Sequence, residues 1–369
     1  MNGAQQGIRL MLTGGGTGGH LFPAIATAQA LQRRFPGTQV LFLGTGRRID
    51  RGSLAHAGFA SRTIHCQGLM GKGIGARLKA LLLLPWALLE SVWHIVRFRP
   101  QLVIGVGGYV TGPVIVAARV LGRPTLIHEQ NSVPGLANRK LGRLADRVCV
   151  SLPASTAYFP EDKARLTGNP VREDILDLAT MSKPAGGQVM TLLVLGGSLG
   201  AHRVNELVVE ALGYLSPEQR AGLHLIHQTG PGDEAEIRRA YGQLGVSADV
   251  RGFFDDMAHI YRQADFVVSR AGATSLAELA VLGLPALLIP YPYAADNHQE
   301  QNGRYYVNGG GALMFREQEL GGEVLAVELG RLLGDPGRRQ QMGQAMRNLG
   351  LPGAADEIVG VCLELLKKR

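Results

Sequence analysis

Short continuous runs of Val, Ile and Leu recur at residues 8–13, 40–44, 102–106, 125–128 and 148–151, and again at 191–195, 224–228, 250–253, 266–269 and 286–290. Most do not alternate polar with apolar. That is the pattern of parallel strands covered on both faces. Stretches of ten or more residues with helical spacing lie between them, so the pattern predicts an α/β chain built from βαβ units. A weak internal echo divides it: RLMLTGGGTGGH near the start and TLLVLGGSLGAH from Thr191 both read as strand, glycine-rich turn and helix. The polar, Pro- and Gly-bearing stretch 177–188 suits a connection, and the domain change is placed at 168–172. The economical expectation is two Rossmann-like parallel-sheet domains facing each other across a cleft.

Composition narrows this picture. Of 369 residues, 46% are hydrophobic and 18% charged, which supplies a sizeable core and excludes global disorder. Gly contributes 51 residues without a G-X-Y period, pointing to tight turns and close backbone–ligand approaches. The three cysteines are widely spaced and form no CxxC, so neither a disulfide framework nor a zinc site is expected. The apolar run at 80–89 is interrupted by Pro85 and falls short of the roughly 20 residues of a membrane span. With no leader pattern at the start, the expectation is a cytoplasmic protein without an integral anchor. Charge is unevenly spread: residues 1–169 carry 20 Lys and Arg against 6 Asp and Glu, residues 170–369 carry 18 against 24. A basic half suggests a polyanionic partner for that half.

Gly14, Gly16 and Gly19 satisfy G-x-G-x-x-G directly after a strand, the fingerprint of a dinucleotide site. That site also needs an acidic residue at the end of the next strand, and Leu43-Gly44-Thr45-Gly46-Arg47 has none. What survives is a helix N-terminus suited to a phosphate or sugar, with His20 in its first turn, where the positive helix end favours the neutral imidazole. Gly196-Gly197-Ser198-Leu199-Gly200 forms a second anion-binding turn, and Arg172 sits on a turn able to reach the same anion. Ser269 to Glu278 joins a strand end to a helix through small residues, with Glu278 placed to hold ribose hydroxyls. Alone, Arg172 or Glu278 reads as a surface ion pair; at equivalent strand ends they read together as a nucleotide site.

GGGTGGHLFPA, GVGGYVTGP, HEQNSVPGLANR, LTGNPVR, LGGSLGAHRVNE, FFDDM, SRAGATSLAELAVLGLPALLIP and DNHQEQN follow one another over about 290 residues. The set resembles the MurG family of UDP-N-acetylglucosamine transferases. The resemblance implies the GT-B fold, with an acceptor- and membrane-binding domain at 1–169 and a UDP-sugar-binding domain at 170–353. It also implies a helix at 354–369 packing back on the first domain. For the donor it implies Thr17, Gly18 and Gly19 at sugar and phosphate, Asn131, and Arg172 and Ser198 at the diphosphate. Phe254 would read uracil through its backbone. Ala273, Thr274, Ser275, Leu276, Ala277 and Glu278 would form the ribose–phosphate loop, and Gln299 would read the sugar hydroxyls. The family often has two adjacent glutamines where this chain has His298 and Gln299, which leaves donor-sugar selectivity open.

The reaction so implied is inverting transfer of GlcNAc from UDP-GlcNAc to the muramyl 4-hydroxyl of undecaprenyl-pyrophosphoryl-MurNAc-pentapeptide. No cofactor or metal is expected, since helix N-termini, Arg172 and Ser198 can stabilise the leaving diphosphate. Asp255-Asp256 reads as a helix cap. His20 is the first choice of base and Glu129 the second, with acceptor orientation as its other role. The segment 71–100 joins basic and apolar residues with an interfacial tryptophan, which reads as lying on an anionic membrane. Lys72, Ile74, Arg77, Leu78, Lys79, Leu82 and Trp86 are its expected contacts, with Lys140 from a second basic stripe. Residues 83–96 are expected to be a buried α/β helix with a solvated flank. Nucleic acid is not expected as a partner, because no nucleic-acid motif accompanies the charge. Partners in cell-wall synthesis remain open, and the expected location is the cytoplasmic face of the plasma membrane. Another UDP-sugar transferase, a UDP-GlcNAc 2-epimerase, or a UDP-sugar-binding regulator are the alternatives; HEQN and GNPVR speak against the first two, and the intact His20, Glu129, Arg172, Glu278 and Gln299 against the third.

Overall fold

A computed structural model describes residues 7–15, 18–68, 74–181, 189–197 and 199–367, with side chains described throughout except at 48–50 and 74–81. The chain divides into two compact units, Met1–Arg172 with Pro352–Arg369, and Glu173–Leu351.

The first unit is a parallel sheet of β1 (Arg9–Thr13), β2 (Gln39–Gly44), β3 (Ala60–Thr63), β4 (Leu102–Gly105), β5 (Thr125–Glu129), β6 (Arg147–Val150) and β7 (Ala164–Leu166). Their order is β3-β2-β1-β4-β5-β6-β7, with Leu10 between Val40 and Leu102. The second unit has β8 (Met190–Leu195), β9 (Leu223–Gln228), β10 (Ser247–Arg251), β11 (Phe266–Ser269), β12 (Ala286–Leu288) and β13 (Ala312–Met314). Its order is β10-β9-β8-β11-β12-β13, again all parallel. Central strands such as β4, β5 and β11 are buried from end to end, and the polar His128 and Glu129 that close β5 are buried with it.

In each sheet the chain steps outward in both directions from one pair, β1 with β4 and β8 with β11. Such a reversal leaves a crevice at the C-terminal ends of the two strands, because the connections depart to opposite faces. Both glycine-rich turns open there. The helix Ala354–Lys367 packs on the helix Gly18–Arg34 of the first unit, putting Ile358, Cys362 and Leu365 in one apolar cluster with Leu10, Ala28 and Leu31.

Three strands lie outside the apolar runs: β3, β7 and β13; β10 begins three residues before the run 250–253 and ends inside it, at Arg251. All four are sheet edges. An edge strand meets one neighbour, and β3, β7 and β10 keep exposed positions that break any hydrophobic run; β13 is apolar but only three residues long.

Over 83–96 the helix Ile74–Phe98 has the buried face and the solvated flank that were expected, but the flank is apolar. Ala87, Ser91 and Ile95 face the unit and are fully buried against the helix Thr111–Val120. Leu82, Trp86, Leu89, Trp93 and Val96 are each more than half exposed. Spacings of four and three residues put them on one outward stripe, which nothing in the unit covers because the sheet lies on the other side. Lys140 is exposed. Lys72 lies outside the described residues, as do the side chains of Ile74, Arg77, Leu78 and Lys79. Among the described residues no helix is long and apolar enough to cross a membrane.

Candidate active site

In the first unit, the turn after β1 runs through Gly14 and Gly15 towards a helix whose first two residues are Gly18 and Gly19; Thr17 lies outside the described residues. The turn after β4 lies beside it. Gly107 has φ +103°, and a Cβ there would stand 2.8 Å from His20 Cδ2 and 2.9 Å from Nε2. Only glycine therefore lets the imidazole lie against this turn. Asn138 Nδ2 is 3.5 Å from the same point. His20 and Asn138 are thus brought to one spot by three segments far apart in sequence.

Asn138 in turn holds Glu129. The carboxylate ends β5, fully buried, and accepts four hydrogen bonds: from the Asn131 amide (2.9 Å), Asn131 Nδ2 (3.2 Å), the Gly135 amide (3.2 Å) and Asn138 Nδ2 (2.9 Å). Burial pushes its pKa upward against those bonds. Both carboxylate oxygens are thus engaged with the loop that carries Asn131 and with Asn138. Two residues beside it set the frame. Gln130 Nε2 donates to the Val106 carbonyl (3.0 Å) and to His128 Nδ1 (3.1 Å). An accepting Nδ1 leaves the proton on Nε2, which faces Ser151 Oγ at 3.0 Å and the Gly168 carbonyl at 3.2 Å. Burial lowers the His128 pKa to about 4, so this frame carries a neutral imidazole. Arg172 stacks its guanidinium on Phe22 of the helix Gly18–Arg34, 4.9 Å from the ring centroid, which presents a cation beside that helix's first turns.

In the second unit, Gly196 and Gly197 follow β8; Ser198 lies outside the described residues. Gly200 (φ +81°) passes so close to Thr229 that a Cβ would stand 2.2 Å from its carbonyl oxygen, which again demands glycine. Gln228, at the end of β9, donates to the Gly197 carbonyl (3.1 Å) and accepts from the Phe254 amide (3.1 Å). The Phe254 amide is therefore engaged within the unit. Asp256, two residues on, caps the helix Met257–Gln263 by accepting from the His259 amide (3.0 Å).

The turn after β11 leads into the helix Ala273–Leu282. Ala273, Thr274 and Ser275 form its first turn, whose amides have no acceptor within the helix. Leu276 is buried and Ala277 half-buried, while Glu278 is buried with Oε2 accepting from the Tyr261 hydroxyl at 2.9 Å. Gln299 lies in the first turn of the helix His298–Asn308, its Oε1 accepting from the Tyr291 amide (2.9 Å), which leaves its NH2 group as the donor. His298 Nδ1 lies 2.8 Å from the Ala295 carbonyl. Arg270 is buried; it donates to the carbonyls of Ile289 and Pro290 (3.1 Å each) and pairs with Glu317 (2.5 Å).

Sequence reading did not single out the roles of His128, Gln130, Asn138, Gln228, Tyr261 and Arg270. Their one sequence signal is a polar residue at the end of a strand or inside an apolar helix, where burial obliges it to find a partner. Among the described residues no group of three or more His, Cys, Asp and Glu is placed to hold a metal ion.

Comparison with known proteins agrees with this architecture. Residues 10–150 match the glycosyltransferase family 28 N-terminal domain and residues 191–358 its C-terminal domain. A protein of Desulfotalea psychrophila is 54% identical over 98% of this chain and 97% of its own length. One of Anaeromyxobacter sp. (strain K) is 45% identical over 98% of this chain and 94% of its own. Both are named UDP-N-acetylglucosamine–N-acetylmuramyl-(pentapeptide) pyrophosphoryl-undecaprenol N-acetylglucosamine transferase. The crystal structure of Acinetobacter baumannii MurG superposes with a TM-score of 0.77 at 31% identity, covering 98% of this chain and all of that one. The chain belongs to glycosyltransferase family 28, within the MurG group, and is a transferase of the GT-B fold class.

Proposed function

We propose that this chain moves GlcNAc from UDP-GlcNAc to the 4-hydroxyl of MurNAc in undecaprenyl-pyrophosphoryl-MurNAc-pentapeptide, with inversion, completing lipid II. The observation that carries the reading is the 54% identity, over 98% of the chain, to a relative bearing that name. The side chains of the two units support a division of labour. The second unit takes the nucleotide: the first turn of the helix Ala273–Leu282 and the turn carrying Ser198 meet the diphosphate, Glu278 the ribose, the Phe254 backbone the uracil, and Gln299 the sugar hydroxyls. The first unit serves the acceptor and adds donor contacts: Thr17, Gly18 and Gly19 for sugar and phosphate, Asn131, which Glu129 holds, and Arg172 for the diphosphate.

His20 is the general base. The muramyl hydroxyl attacks the anomeric carbon, its proton passes to the imidazole, and the bond to the diphosphate oxygen breaks with its electron pair leaving on UDP. Backbone amides at helix N-termini and Arg172 offset the charge that develops on the leaving group. Glu129 is a positioning residue, its carboxylate saturated by loop donors. No metal is assigned a part.

The chain acts from the cytoplasmic face of the membrane as a peripheral protein. The exposed stripe of the helix Ile74–Phe98 supplies apolar contact, and Lys72, Arg77, Lys79 and Lys140 attract anionic headgroups. The deciding experiment is UDP release from UDP-GlcNAc with a synthetic polyprenyl-pyrophosphoryl-MurNAc-pentapeptide, in detergent with excess EDTA. Acceptor-dependent release unaffected by EDTA is the expected result. Donor binding without turnover removes the transferase reading, and loss in EDTA alone overturns the metal-free route while keeping the function.

A further inference from the structure

The turn that leads into Gln299 is backbone that ordinary residues avoid. Asp296 (φ 51°, ψ 26°) and Asn297 (φ 52°, ψ 31°) are both left-handed, adjacent, and neither is glycine. Asp and Asn tolerate that conformation better than other residues with a Cβ, but two in succession still carry a cost that other contacts must offset. One buried carboxylate supplies those contacts. Glu300 Oε2 accepts from Asn297 Nδ2 at 2.7 Å and from Arg316 Nε at 3.3 Å; Oε1 accepts from Arg304 Nη2 at 2.6 Å and Arg316 Nη2 at 3.0 Å. Asn297 is the N-cap of the helix and Glu300 its third residue, so the pair closes the first turn as a capping box does, through the cap's side chain in place of its backbone amide. Arg316 follows β13 and ties the turn to the sheet edge. Bonds from Arg316 and Asn297 hold the carboxyl down at about 2, so it stays ionised at any working pH.

Gln299 is enclosed by this arrangement. Its Oε1 is fixed on the Tyr291 amide, and the peptide carbonyls just before Tyr291 are fixed by Arg270. Loosening the turn moves Gln299 relative to that amide, with no change to the residues that meet uracil, ribose or phosphate. We propose that Glu300 is a positioning residue for donor-sugar recognition: by holding Asp296 and Asn297 in left-handed conformation it fixes the Gln299 amide towards the sugar of the donor. The proposal rests on the reading that Gln299 meets the GlcNAc hydroxyls.

The test compares wild type, Glu300→Gln, Glu300→Gln with Asn297→Gly, and Gln299→Ala. Each is assayed for UDP affinity, KM for UDP-GlcNAc and KM for the lipid acceptor. UDP lacks the sugar, so it reports the nucleotide half alone. The expected result for Glu300→Gln is KM for UDP-GlcNAc raised about tenfold, the scale of one lost charge-assisted hydrogen bond, with UDP affinity and acceptor KM unchanged. Glycine adopts the left-handed conformation without strain, so Asn297→Gly restores the donor KM in the Glu300→Gln background. Equal weakening of UDP and UDP-GlcNAc, an unaltered donor KM, or no rescue by glycine overturns the proposal. The underlying reading fails separately: wild type that does not turn over UDP-GlcNAc, or Gln299→Ala with an unaltered donor KM, removes the sugar-reading role itself.

Discussion

At the scale of single residues, two carboxyl- and imidazole-bearing side chains with similar sequence credentials part company once their partners are known. His20 lies against Gly107 in a half-buried position, whereas Glu129 is buried with four donors on its two oxygens. If His20 is the base, His20→Gln lowers kcat by roughly a hundredfold or more, the usual share of general-base catalysis. The acid limb of the pH–rate profile disappears in that variant and survives in Glu129→Gln. A second prediction concerns His128. Its pKa is about 4 folded against 6.5 unfolded, so between those values the unfolded chain binds the proton and the folded chain does not. Stability is then undiminished above pH 6.5 and declines as pH falls towards 4. Urea unfolding midpoints of wild type and His128→Asn, measured from pH 7.5 down to about 4.5, should converge as the wild type loses this contribution. The identity of His128 and Gln130 is plain in the sequence, but their duty is not: nothing local says that one ring will meet residues 151 and 168.

At the scale of elements, legibility followed burial. Strands with two neighbours announced themselves as apolar runs, while edges β3 and β7 did not, because exposed positions break them, and β13 is only three residues long. The helix Ile74–Phe98 shows the converse difficulty. Its inner face of Ala87, Ser91 and Ile95 carries smaller residues than its outer stripe of Leu82, Trp86, Leu89, Trp93 and Val96, so hydrophobicity alone points the wrong face inward. Both tryptophans of the chain lie on that stripe; Trp86 Nε1 donates to Glu90 at 3.0 Å, and Arg97 lies over the Trp93 ring. Each such side chain is worth about 1.5–3 kcal/mol when taken out of water. Replacing Leu89 and Trp93 together by Ser should therefore weaken binding to phosphatidylglycerol-containing vesicles at least tenfold in a sedimentation assay. UDP affinity checks that the fold is intact.

At the scale of the whole molecule, the surplus of basic residues in 1–169 predicts a second, electrostatic part of membrane binding. Vesicle affinity should fall as salt rises from about 0.05 to 0.5 M and level off at the part carried by the apolar stripe, since screening acts only on the charges. The first unit is also completed by a segment remote in sequence. Ile358 is fully buried against Leu10 and Leu31, so Ile358→Ala should cost roughly 2–5 kcal/mol in urea unfolding of that unit. Hydrophobic spacing was enough to declare two parallel α/β halves, because burial on both faces writes itself into consecutive residues. Glycine at the strand ends was enough to mark where segments pack closely, because such contact tolerates no side chain. The duties of the polar residues at those ends were decided only by folding. Hydrogen bonds join groups that topology brings together across dozens of residues, as His128 meets Gly168 and Gln130 meets Val106, and no local pattern encodes a partner that far away.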